Sequence, residues 1–145
     1  MGDVVDPKNA RSEDYRAVLK EIAAGGKCPF CPKNFRWHRK PLLRRYGRWL
    51  ITEAAWPYKN AKFHFLIIGG KHTDKVQRLT AVDFHDILFL LRWAIKRFGI
   101  AGGALSLRFG DTAHTGATVR HLHFHLIVPK LGRGGKALVV NFPIG

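Results

Sequence analysis

The chain has 145 residues, 46% apolar and 24% charged, which suits one folded domain and excludes a disordered tail, a collagen-like chain or a disulfide scaffold. Lys and Arg number 25 against 10 Asp and Glu, a formal charge of +15, which predicts affinity for polyanions: nucleotides, nucleic acid or anionic lipid. The most apolar stretch, 84–107, is broken by Arg92, Lys96 and Arg97, so no segment reads as a membrane span. The opening MGDVVDPKNA is acidic where a secretory signal is basic and then apolar. Asp6 stands where a myristoylation motif needs Ser or Thr. The expected location is the cytoplasm.

Residues 1–10 read as a flexible N-terminal arm and 11–145 as a single domain. Ser12 can cap a helix whose first turn carries Glu13 and Asp14, where the helix dipole favours negative charge. That helix runs through Val18, Leu19 and Ile22 to Gly25-Gly26. Cys28-Pro-Phe-Cys31-Pro is a tight knuckle; in a reducing compartment it points to metal or redox chemistry before a structural disulfide. On spacing alone it is a zinc knuckle or a redox pair. Neither a strand before it nor a helix after it is indicated, as a thioredoxin-like motif requires. Further ligands would come from histidines, of which His38 is nearest in sequence.

Strands are expected over 42–46 and 48–53, then a turn at Pro57, then a strand over 63–68 ending at Gly69-Gly70. A long helix is expected over 79–98: Thr80 and Asp83 form an N-terminal capping pair, Val82, Ile87, Leu90, Leu91, Ala94, Ile95 and Phe98 recur at helical spacing, and Gly99 ends it. A strand follows over 104–109, a polar loop over 110–116, the strand 119–128 and a short last strand over 137–142. The order predicts an α+β fold: an antiparallel sheet of about five strands with one long helix and an N-terminal helix.

The strand 119–128 carries the chemistry. His121-Leu122-His123-Phe124-His125-Leu126 alternates with a period of two. In a strand this sets three imidazoles on one face, about 7 Å apart, and Leu122, Phe124 and Leu126 on the other. One imidazole can act as a nucleophile while its neighbours position or protonate a substrate.

This pattern resembles the histidine triad (HIT) superfamily, whose signature is His-φ-His-φ-His-φ-φ with φ apolar. The resemblance extends to Phe63-His64-Phe65-Leu66-Ile67-Ile68-Gly69-Gly70-Lys71-His72, to Gly116-Ala117-Thr118-Val119-Arg120 and to Val140-Asn141-Phe142-Pro143-Ile144-Gly145, and so covers about 27–145. It implies a HIT-like fold and a nucleotide hydrolase or transferase acting at the α-phosphate of diadenosine polyphosphates or AMP conjugates. It implies that the middle histidine, His123, is the nucleophile of a covalent nucleotidyl-histidine intermediate. His125 would contact the phosphate or ribose, and Thr118 would donate a hydrogen bond to the phosphate or leaving group. From the zinc-bearing, bacterial-type branch it implies a structural zinc held by Cys28, Cys31, His72 and His121, and from the family at large a homodimer. His64 reads as a packed or hydrogen-bonded strand histidine, and His114 as a loop residue within reach of a ligand.

Two positions depart from the family. Its usual Asn or Asp for the ribose hydroxyls is missing, with Ala54 in its place, leaving Glu53 as a substitute or the sugar more weakly held. The Asn upstream of the triad is also absent; Phe109-Gly110-Asp111 stands there, with Asp111 the candidate replacement. The dense run Arg36, Arg39, Lys40, Arg44, Arg45 and Arg48, interleaved with Trp37, Tyr46 and Trp49, is either a solvated surface or a platform for nucleic acid. The rival functions are accordingly a nucleotide-binding module without significant catalysis, and a protein binding or processing adenylated nucleic-acid ends through 36–48.

Overall fold

A computed structural model describes residues 4–145. Helix α1, Glu13–Gly25, starts where expected: Ser12 Oγ accepts from the Tyr15 N–H at 3.2 Å, and Gly26 closes the helix in the left-handed conformation. Strands β1, Leu42–Tyr46, and β2, Trp49–Glu53, form a hairpin around Gly47-Arg48. Gly47 has φ +54°, and a Cβ there would lie 2.0 Å from a carboxylate oxygen of Asp86, so the turn requires glycine. Strand β3, Ala61–Gly69, leads to helix α2, Ala81–Phe98, which opens on the full Thr80/Asp83 capping box and closes at Gly99. Strand β4, Ala104–Leu107, the single turn α3, Thr112–Thr115, and strand β5, His123–Pro129, complete the elements.

The sheet is antiparallel throughout, in the order β1-β2-β3-β5-β4. Both faces are covered. On one, Trp49, Ile51, Phe65, Ile67, Phe124 and Leu126 pack against Ile87, Leu90 and Ala94 of α2. On the other, Leu50, Leu66 and Ile68 meet Leu19 and Ile22 of α1, together with Cys28 and Phe30 of the knuckle. The period-two pattern of β5 therefore has the expected sense: Phe124 and Leu126 enter the α2 core while His123 and His125 turn toward α1. The α1 core is what makes the histidine face a pocket instead of an open surface.

Two strand expectations are corrected. Residues 119–122 do not continue β5, because β3 ends at Gly69 and the chain there pairs elsewhere: Val119 bridges to Val5, and the Arg120 N–H donates to the Val4 carbonyl. The same contacts tie down the expected arm over its described part. Val5 is fully buried, Asp6 caps the short helical turn Pro7–Asn9 and accepts from the Thr112 hydroxyl, and Asn9 donates to the Ala117 carbonyl. Positions 1–3 of that arm lie outside the described residues. Finally, 137–142 forms no strand: Ala137 makes an isolated bridge to Leu131, the Leu138 N–H donates to the Lys130 carbonyl, and the Asn60 side chain donates to the Val139 carbonyl. No helix among the described residues is long and apolar enough to cross a membrane.

Candidate functional site

Cys28, Cys31, His72 and His121 converge, their ligand atoms lying within 4.8 Å of one another. Nδ1 of His121 is 3.4 Å from the Cys28 sulfur and 3.8 Å from that of Cys31, and Nδ1 of His72 is 3.6 Å from Cys31. A tetrahedral zinc with bonds of about 2.3 Å to sulfur and about 2.0 Å to nitrogen needs sulfur–nitrogen separations near about 3.6 Å. The orientation fits as well. Nε2–H of His121 donates to the Gly69 carbonyl, which leaves Nδ1 as a lone pair facing the thiols. Burial, then the neighbouring Cys31, push the Cys28 thiol up to about 12, a desolvation that a bound cation offsets. His38 is not part of the cluster; its Nε2 bonds the Thr52 hydroxyl at 2.8 Å.

One residue links this cluster to the triad. Phe30, inside the knuckle, meets the rings of both His121 and His123 edge-on, with centroids 6.3 and 4.8 Å away. His123 Nδ1 lies 2.6 Å from the His121 carbonyl. A carbonyl only accepts, so Nδ1 carries the proton and the lone pair is on Nε2. Burial first, and then the neighbouring His121, Arg108 and His64, hold the His123 ring down to about 4, so it is neutral near pH 7 and its lone pair is free to attack. His125 is buried beside it, ring centroids 4.9 Å apart.

The pocket in front of these rings is lined by α1 (Tyr15, Val18, Leu19, Ile22), by Pro29 and Phe30 of the knuckle, by Trp56 and Tyr58, and by His64, Arg108 and Thr118. Tyr15 stacks on Trp56 at 5.1 Å, and its hydroxyl shares a 2.7 Å hydrogen bond with Thr118 Oγ1. The expected residues His123, His125 and Thr118 are thus gathered in one pocket. Glu53 and Asp111 are not. Glu53 faces Lys40 at 3.7 Å, outside the pocket, and Asp111 caps α3 by accepting from the Ala113 N–H. His114 follows Asp111 onto a separate groove. Within the basic run, two aromatics turn toward the fold. Trp49 is buried, Tyr46 stacks on Phe89 at 3.6 Å, and Arg44 lies over Phe89 and Trp93, so these aromatics pack within the domain. The Trp37 side chain lies outside the description.

The sequence reading missed Arg108, Tyr58, Tyr15 and the part played by His64. Nδ1 of His64 accepts from the Tyr58 N–H at 3.1 Å, and its Nε2 is 2.9 Å from Nδ1 of His125. The available signal for His64 was a polar residue within an apolar strand; β3 pairs with β5 in the register that sets Leu66 opposite His125 and His64 two residues away on the same face. Tyr15 and Arg108 reach the pocket from elements distant in sequence, and no local pattern marks them.

Residues 59–131 match the HIT domain family, just over half of the chain, including the three histidines of the triad but neither the knuckle nor α1. No curated protein is significantly similar to the chain. Among solved structures it resembles a HIT family hydrolase from Clostridium thermocellum, with 27% identity, TM-score 0.55, and 77% of this chain and 97% of that one covered. It also resembles a histidine triad nucleotide-binding protein from Candida albicans, with 24% identity, TM-score 0.61 and coverage of 82% and 85%. A zinc-bound histidine triad family protein from Mycobacterium smegmatis shares the fold at 20% identity, TM-score 0.55, with 81% and 84% covered. The Cys2His2 cluster fits the zinc-bearing branch. With this fold, this sequence match and this histidine strand, the chain belongs to the HIT domain family.

Proposed function

We propose that the protein is a nucleotide hydrolase or transferase that works through a nucleotidyl group on His123. The observation that carries this reading is the His123 Nδ1–H bond to the His121 carbonyl, which aims the Nε2 lone pair into the pocket. That lone pair forms a bond to the α-phosphorus while the bond to the leaving group breaks, its electron pair departing with that group. In the second step the oxygen of water, or another acceptor, attacks phosphorus. The nitrogen–phosphorus bond breaks, its pair returns to Nε2, and the acceptor's proton passes to solvent. His125 and the Thr118 hydroxyl supply donors to the phosphoryl oxygens, where charge builds in the transition state. Diadenosine polyphosphates and AMP conjugates are the proposed substrates, and a homodimer is the proposed assembly.

Cys28, Cys31, His72 and His121 would hold the zinc. Four protein ligands would leave no open position, so a bound ion there would supply rigidity and not bond chemistry. Phe30, packed edge-on against the His123 ring, would carry that rigidity to the triad. The test is product analysis with diadenosine polyphosphates and an AMP-amine, with and without inorganic phosphate. His123→Asn is expected to lower turnover by roughly three orders of magnitude or more. Turnover that survives the substitution would defeat the reading, and nucleotide binding without turnover in the wild type would favour the binding module.

A further inference from the structure

Arg108 is a cation in the pocket that the histidine chemistry leaves unused. It follows β4, and its side chain is nine-tenths buried. Nε and Nη2 donate to the Pro143 carbonyl, and Nη2 also donates to the Tyr58 hydroxyl at 3.1 Å. The guanidinium carbon lies 3.9 Å from the centre of the Phe142 ring. Each of these partners is neutral. No carboxylate pairs with Arg108 among the described residues, and no Asp or Glu lines the pocket. A guanidinium taken out of water without an anion is costly.

The fourth contact is the informative one. Nη1 lies 3.5 Å from Nε2 of His125. The Tyr58 N–H can only donate, so Nδ1 of His64 accepts and the neutral ring carries its proton on Nε2. That proton is donated to Nδ1 of His125, so the neutral His125 ring carries its own on Nε2. Burial and the nearby Arg108 and Arg11, with His123 also facing His125, keep both rings neutral near pH 7. The contact between Arg108 and His125 is therefore donor against donor, and the two N–H groups lack an acceptor between them. An oxyanion supplies one. Arg11, over the Tyr58 ring at 5.2 Å, adds charge of the same sign at the mouth.

We propose that Arg108 is the phosphate-binding, specificity-determining residue of this pocket: its Nη1 and the Nε2–H of His125 together hold an oxygen of a phosphoryl group, and the ligand is selected by that anion instead of by its sugar. The second half follows from Glu53 and Asp111 standing outside, which leaves no carboxylate to grip a ribose diol. The inference rests on the reading of the pocket as a nucleotide site.

The experiment is calorimetric titration of AMP, 2′-deoxy-AMP and adenosine into the full-length protein, as wild type, Arg108→Met and Arg108→Lys. A charge-assisted pair of this kind gives wild type a preference for AMP over adenosine of roughly 10- to 100-fold. In Arg108→Met that ratio is expected to collapse to about 1–3, and in Arg108→Lys to keep an intermediate value. 2′-Deoxy-AMP is expected to bind within about threefold of AMP, the mark of a site without a carboxylate on the ribose hydroxyls. If Arg108 only clamps Tyr58 and Pro143, Arg108→Met weakens both ligands alike and the ratio stands, which overturns the assignment. A wild-type ratio near one overturns it without any variant, so misfolding of a mutant cannot shelter it. Discrimination against 2′-deoxy-AMP by more than about tenfold overturns the sugar half. The outcomes separate from those of the proposed chemistry: a phosphate preference lost in Arg108→Met but with no turnover in wild type keeps this inference and removes the enzyme.

Discussion

His123, His125 and His64 are three imidazoles with three different fixed protons. His123 is fixed by a carbonyl, His64 by a backbone N–H, and His125 by His64. Neutral imidazole in each place is a consequence of burial, and burial has a price in acid. In the unfolded chain a histidine titrates near about 6.5; in the fold His64 is held down to about 4, first by burial and then by Arg108 and Arg11, with His125 and Tyr58 as its other neighbours. Above about pH 6.5 neither state takes the proton and the full stability is present. As pH falls toward 4 the unfolded chain binds protons that the fold refuses, and stability is lost. Urea midpoints between pH 7 and pH 4.5 should fall in wild type and fall less steeply in His64→Phe. Equal slopes would remove His64 from the account. Thr118→Val should lower kcat/KM by roughly 10- to 100-fold through the lost donor and cost about 1 kcal/mol of stability by leaving the Tyr15 hydroxyl without its partner; undiminished kcat/KM would assign Thr118 to its contact with Tyr15 alone.

At the level of elements, α2 carries both a capping box and the main core. Thr80→Ala should cost about 1 kcal/mol, and Leu90→Ala, at a fully buried position against the sheet, roughly 2–5 kcal/mol; both are read from denaturant midpoints. These elements were legible because their signals are local: Ser12 and Gly26 for α1, Thr80, Asp83 and Gly99 for α2, and the period of two for β5. The last expected strand failed for a reason no local pattern contains. Val139 and Val140 suit a strand, but the chain just before them folds back on Lys130 and Leu131 instead of onto the sheet. The late start of the histidine strand, at His123, is of the same kind, since Val119 is claimed by Val5 from the far end of the chain. In the site, the histidine strand and the four Cys and His residues that converge could be read from motif and resemblance. Arg108 could not, because its meaning lies in what surrounds it: a neutral cage, two converging donors and no acid.

Across the whole molecule, the knuckle, the turn after β3 and the approach to β5 are brought together at the Cys2His2 cluster. Zinc should be present at about one per chain in protein purified without chelator. Its removal should lower the melting temperature and, because Phe30 leaves the His123 ring, reduce turnover with it. Metal analysis near zero, or activity unchanged after verified stripping, would contradict this. Phe84, Leu88 and Ile95 lie exposed along one stripe of α2, an apolar face suited to the proposed homodimer. Leu88→Lys should shift the sedimentation coefficient toward the monomer; a wild type that already sediments as a monomer would remove the dimer.

The most direct measurement of the central claim is rapid alkaline quench during turnover of a diadenosine polyphosphate, with mass spectrometry of the peptide that carries His123. High pH protects a nitrogen–phosphorus bond. The account predicts one nucleotidyl group on His123 in wild type and none in His123→Asn. Product accumulating while His123 stays unmodified, or the group found on another residue, would contradict it.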